Sequence, residues 1–104
     1  MKAIQSNKQF NDLVASGKPF VLDFYADWCG PCQALLPTVE KLADEFAGKV
    51  EIVKVNIDKQ RDLAQKFQVR SIPSLFCMES NKIKSSLKGM ASEAELRKRI
   101  TALA

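Results

Sequence analysis

Two nearly unbroken apolar runs constrain this chain more than any other feature. Phe20-Val21-Leu22-Asp23-Phe24-Tyr25 is one, and Val50 to Ile57 reads as the other. A strand with one wet face alternates apolar and polar residues, whereas a strand covered on both faces does not. Between the runs lies a helical pattern. It starts around the first two cysteines and runs to about Ala47. Leu35, Val39, Leu42 and Phe46 form its apolar stripe, and Gly48 fits its stop. Pro37 falls inside this helix, so a kink is expected there. Buried strands joined through a helix imply parallel crossovers, with helices on the sheet faces.

The flanking segments extend the pattern. Ser6 and Gln9 have capping-box spacing, and Phe10, Leu13 and Val14 follow at helical intervals, so residues 6–16 read as an amphipathic helix. Gly17 and Pro19 end it, and a short strand near residues 2–5 precedes it. After the second run, Asp58 can cap a helix presenting Leu63, Ala64 and Phe67. Ser74 to Met78 is a third central strand. Lys82 to Leu87 alternates, with Ile83, Ser85 and Leu87 facing one way and Lys82, Lys84 and Ser86 the other, as on a guarded edge strand. Its short link to Ser74–Met78 implies an antiparallel hairpin. Ser92 and Glu95 repeat the capping-box spacing before a final helix carrying Leu96, Ile100 and Leu103. The element order is β-α-β-α-β-α-β-β-α, an α/β arrangement.

At 104 residues, a single domain over residues 1–104 is expected, large enough to hold a core without a metal or structural disulfide. No stretch approaches the roughly 18 apolar residues of a membrane helix. The opening residues turn polar too early for a secretion signal, so a cytoplasmic location is expected. The three cysteines, Cys29, Cys32 and Cys77, are too few, and odd in number, for a secreted disulfide scaffold. The net charge of +4 arises after residue 50, where eleven Lys and Arg face six acids. That tilt could steer acidic partners, but a solvated basic surface is the simpler reading. No basic run or motif points to nucleic acid.

The chemistry concentrates in Trp28-Cys29-Gly30-Pro31-Cys32, where a buried strand gives way to a helix. Residues three apart on a helix share a face, which brings two cysteine α-carbons near the separation a disulfide requires. Cys29 would lie at the helix N-terminus, where free N–H groups and the positive dipole end favour a thiolate. Cys32, one turn inside, is expected to be the more buried. This asymmetry makes Cys29 the attacking sulfur and Cys32 the resolving one. Pro31 lacks an N–H that a first turn does not need. Cys77 reads as a small buried hydrophobe.

With this motif the chain resembles the thioredoxin family over essentially its whole length. The resemblance is carried by Trp28 to Cys32, by Asp23 six residues before Cys29, by Pro37 five after Cys32, by Ile72-Pro73 before a late strand, and by Gly89 before the last helix. It implies a thioredoxin fold, a five-stranded mixed β-sheet flanked by four helices. It implies a protein-disulfide reductase with no bound cofactor, which receives electrons from NADPH through a flavin-containing reductase and passes them to disulfide-bearing proteins. A monomer is expected. Asp23, a carboxylate buried whichever way it points, becomes the proton acceptor for Cys32, because burial raises a carboxyl's pKa into a useful range. Lys54 becomes its charged neighbour. Pro73 becomes a cis proline facing the cysteines, beside backbone groups free to pair with a substrate. Trp28, Gly30, Pro31, Ile72, Gly89 and Met90 become the apolar rim around Cys29. Gln33, Tyr25 and the hairpin Ser80-Asn81-Lys82 depart from the family's usual residues. In that hairpin Asn81 can supply the turn conformation normally given by glycine.

Three rivals remain at this stage. A zinc or iron–sulfur site would need about four Cys or His ligands, and the chain has three Cys and no His. An oxidant or isomerase would suit a cation between the cysteines, which Gly30-Pro31 does not offer. A non-catalytic binding subunit or holdase would use the rim alone.

Overall fold

The computed structural model describes residues 1–104. In chain order the elements are β1 (Lys2–Ala3), α1 (Asn7–Ala15), β2 (Phe20–Tyr25), α2 (Gly30–Glu45), β3 (Glu51–Asn56), α3 (Arg61–Lys66), β4 (Ser74–Glu79), β5 (Lys82–Lys88) and α4 (Glu93–Thr101). The five strands form one sheet in the order β1-β3-β2-β4-β5. β2 is thus the centre strand, as its unbroken apolar run requires. The sheet is mixed. β1 and β2 run parallel to β3, while β4 is antiparallel to both β2 and β5.

The direction of β4 departs from what alternating elements imply. A crossover that returned the chain for a parallel strand would have to travel back along the sheet. α3 has only six residues, or about 9 Å of rise, against about 20 Å for a six-residue strand. The chain therefore re-enters the sheet from the end it has just left. This puts Pro73, immediately before β4, at the end of the sheet where β2 runs out towards Cys29.

Alternation along the strands divides the core into two layers. Val21, Ile52, Leu75 and Cys77 face Leu35, Val39 and Leu42 of α2 and Leu96 and Ile100 of α4. Phe20, Leu22, Phe24, Val53, Val55, Phe76 and Met78 face the other way, with Phe10 of α1 and Leu63 of α3. Phe67, just past α3, sets its ring 5.4 Å from Phe24, 5.8 Å from Phe10 and 5.1 Å from Phe76. α4 is tied to α2 by Arg97, which holds Glu45 with two bonds of 2.8 Å, and by Lys41 to Glu93 at 3.0 Å.

The caps follow the sequence with local corrections. Ser6 and Ser92 accept the N–H groups of Gln9 and Glu95, as expected. The return half of each box is absent. Gln9 Oε1 reaches the N–H of Gln5 instead, and Glu95 pairs with Arg99 one turn on. Gly17, at φ 74°, turns the chain out of α1. α2 continues through Pro37, whose missing N–H leaves the Gln33 carbonyl without its helical donor. It stops at Glu45, short of Ala47.

β5 is less regular than its alternation implies. The ladder shifts between Cys77 and Met78, so that Ser85 pairs with Cys77 but Ile83 with Met78. The extra residue sends Ile83 to the face opposite Ser85 and Leu87, and Ile83 ends up exposed. In the hairpin it is Ser80, at φ 52°, and not Asn81 that takes the left-handed conformation.

Candidate active site

The site forms where β2 ends, α2 begins and β4 enters. Cys29 is the N-cap of α2, with extended backbone, and its sulfur accepts the N–H of Cys32 at 3.2 Å. Pro31 occupies the first turn, where no N–H is needed. Cys29 and Cys32 are joined as a disulfide with α-carbons 5.3 Å apart. The pair packs with Ala26, and Tyr25, Ile57 and Ile72 close round it. Opposite Cys29 the Ile72–Pro73 peptide bond is cis, and the Ile72 carbonyl oxygen lies 3.9 Å from Cys29 Sγ.

One expectation fails here. Cys29 and Cys32 are 5% and 4% exposed, so in the disulfide they are equally buried. Ile72 packs against the pair from the β4 side. What separates the two sulfurs is the backbone. Only Cys29 occupies the cap and receives an N–H from the helix start, the position that stabilises negative charge on sulfur.

The other residues assigned to the rim differ in exposure. Trp28 and Met90 are large and exposed, at 70% and 57%. Gly30 and Pro31 are exposed, Ile72 is half-buried and Pro73 is buried. Gly89, at φ 83°, donates its N–H to the Pro73 carbonyl at 2.7 Å and so ties the segment after β5 to the cis peptide.

Asp23 is buried, and one of its carboxylate oxygens has no hydrogen-bond partner. It shares a face of β2 with Val21, which packs on α2, and lies two residues nearer the strand's end. That places it beneath the opening turns of α2, whose buried stripe starts with Cys32. Burial raises its carboxyl from 3.8 to about 7, and the charge of Lys54 opposes the rise. Lys54 is the residue beside Asp23 in β3 and stands over the Tyr25 ring, 5.4 Å from its centroid. Lys54→Gln should therefore move the titration of Asp23 further up. Carboxyl ¹³C shifts followed against pH would show this, and a midpoint that stayed or fell would contradict it.

Sequence reasoning missed Asp58. It caps nothing, because α3 starts three residues later with Gln60 as its N-cap and no side-chain cap bond. Its carboxylate instead accepts the indole N–H of Trp28 at 2.8 Å. No group of three His, Cys, Asp or Glu side chains is placed to hold a metal.

The family model for thioredoxin matches residues 2–102. The chain belongs to the thioredoxin family. It is 40% identical to thioredoxin 1 of Chlorobaculum tepidum over 91 residues, covering 86% of this chain and 90% of that one. It is 42% identical to the thioredoxin of Haemophilus influenzae over 84 residues, covering 81% and 78%. Among solved structures, Fasciola hepatica thioredoxin superposes over 100% of both chains with a TM-score of 0.90 at 33% identity. The five-stranded mixed sheet with four helices is the thioredoxin fold. With its cysteine pair at bonding distance, this member is a thiol–disulfide oxidoreductase, a protein-disulfide reductase.

Proposed function

We propose that Cys29 is the attacking sulfur, Cys32 the resolving one and Asp23 the proton acceptor in reduction of protein disulfides. The observation that carries this is the sulfur of Cys29 at the start of α2, bonded to the N–H of Cys32 and facing the cis Pro73 segment. In the dithiol state the Cys29 thiolate attacks one sulfur of a target disulfide. That S–S bond breaks, a mixed disulfide forms, and the second target sulfur leaves as a thiolate and takes up a proton. Cys32 then gives its proton to Asp23 and attacks Cys29 Sγ. The first target sulfur is released, and the Cys29–Cys32 bond remains. Two electrons have passed to the target.

Trp28, Gly30, Pro31, Ile72, Pro73, Gly89 and Met90 would receive the target chain. The exposed apolar surfaces of Trp28 and Met90 and the backbone beside Pro73 offer packing and strand-like pairing. The electrons would come from NADPH through a flavin-containing thioredoxin reductase, with the protein acting as a monomer in the cytoplasm. The low, odd cysteine count supports a reducing compartment.

Reduction is favoured over oxidation because Gly30-Pro31 puts no cation beside the Cys29 thiolate to stabilise the reduced form. Equilibration against glutathione buffers tests the direction. A reductase should retain its disulfide in mixtures that convert an oxidant-type pair to the dithiol. A pair found reduced across those mixtures would reverse the assignment.

A further inference from the structure

We propose that Arg70 and Lys88 are specificity-determining residues, two free cations that favour target disulfides carrying acidic residues along the Pro73 side of the rim. The inference rests on the reading of that rim as the target-binding surface. Both side chains are exposed, and neither enters an ion pair. The cations at the α2–α4 contact differ. Lys41 and Arg97 are matched to Glu93 and Glu45, and Arg99 to Glu95.

The backbone fixes where both cations stand. Lys88 ends β5 and pairs with Ser74, the first residue of β4, one strand spacing of about 5 Å away. Just beyond, the Gly89 N–H bond to the Pro73 carbonyl closes the ladder at 2.7 Å. Arg70 precedes Ser71-Ile72-Pro73 and is pinned from both sides. Val69 donates its N–H to the Ala64 carbonyl at 2.9 Å, and the Ser71 carbonyl accepts the Ser74 hydroxyl at 2.6 Å. The two cations thus bracket the segment whose Ile72 carbonyl lies 3.9 Å from Cys29 Sγ. The opposite side of the site carries the reverse charge. Asp27 is exposed and free of ion pairs, and Asp58 lies against the Trp28 indole. A target that brings its sulfur to Cys29 lies across both sides. An acidic residue on one flank of its cysteine is attracted, and on the other flank repelled. The net charge of +4 acts on every acidic partner alike, whereas this polarity tells one flank from the other.

The experiment uses two short cysteine peptides, each as its symmetric disulfide dimer. One has a pair of glutamates before the cysteine and a pair of lysines after it, and the other has the reverse. Their net charges are equal, so overall attraction cancels. Rate constants are measured in single turnover with the pre-reduced protein. Wild type at low salt should reduce one dimer about 3- to 10-fold faster than the other, since each exposed ion pair supplies a factor of a few. The preference should disappear in about 1 M salt, where screening acts beyond about 3 Å. The double variant Arg70→Gln/Lys88→Gln should lower the low-salt ratio by at least about 2-fold. Arg70→Lys/Lys88→Arg, which keeps both charges, should retain it. Equal rates for the two dimers in wild type overturn the proposal. So does a ratio that survives high salt or is untouched by the glutamine pair. Reduction of both dimers at one rate would remove this inference and leave the reductase standing. Reduction of neither would remove the proposed function, and this inference with it.

Discussion

A Cys32→Ser protein mixed with a disulfide-bonded target should stop at a covalent complex. Cys29 keeps its place at the cap and the N–H of residue 32, so the first attack proceeds. The second attack has no sulfur to make it. Rescue must then come from thiols in solution, and these compete poorly with a nucleophile held 5.3 Å away between α-carbons. Positioned groups reach effective molarities of about 10⁵ M or more, so multiple turnover should fall by at least ~10³-fold. The complex should resist non-reducing gel electrophoresis and dissociate with excess dithiothreitol. Cys29→Ser should form no complex at all. Rapid, complete turnover by Cys32→Ser, or trapping through Cys32 in the Cys29→Ser protein, would exchange or abolish the proposed roles.

The second large effect concerns Asp23 and carries a sign that separates stability from activity. Burial holds its carboxyl at about 7 instead of 3.8. The folded state thus binds a proton that the unfolded chain releases over that interval. Its stabilising contribution is complete below about pH 4 and is lost as pH rises through about 7. At ~1.4 kcal/mol per pH unit the loss amounts to about 4 kcal/mol. Asp23→Asn keeps the shape and removes the charge. Denaturant unfolding should find the variant and wild type similar near pH 4, with the variant about 4 kcal/mol more stable at pH 9. The same variant should resolve mixed disulfides about 10- to 100-fold more slowly near pH 7, because Cys32 loses its proton acceptor. A stability difference that did not change with pH would mean that Asp23 titrates as an ordinary carboxyl. Unchanged resolution would leave it a structural residue only.

Much of this was legible in the sequence, for identifiable reasons. β2 and β3 announce themselves because a strand buried on both faces has no polar alternation. The cysteine spacing on a helix start fixes which two sulfurs can bond. Asp23 is conspicuous because a carboxylate in the middle of an apolar strand cannot escape burial.

The misses depend on contacts distant in sequence. The reversal of β4 turns on the shortness of α3, and local pattern does not convey how far a helix must reach. Asp58 has the right residue type and place for a cap, and only the tertiary approach of Trp28 diverts it. Ile83 fits perfect alternation until one extra residue in the ladder moves it across the sheet. The equal burial of the two sulfurs follows from Ile72 closing on Cys29, a neighbour 43 residues away.

Cys77 gives the sheet a further property. It sits in β4 on the face packed against α2 and α4, 5% exposed, and burial pushes its thiol above the usual range. A protein that trades sulfur bonds with every client risks scrambling its own. Here the spare sulfur is walled off from solvent and held towards its protonated form, the less nucleophilic state of a thiol. Of the three sulfurs, the two at the start of α2 are bonded to each other and the third is sealed inside the core.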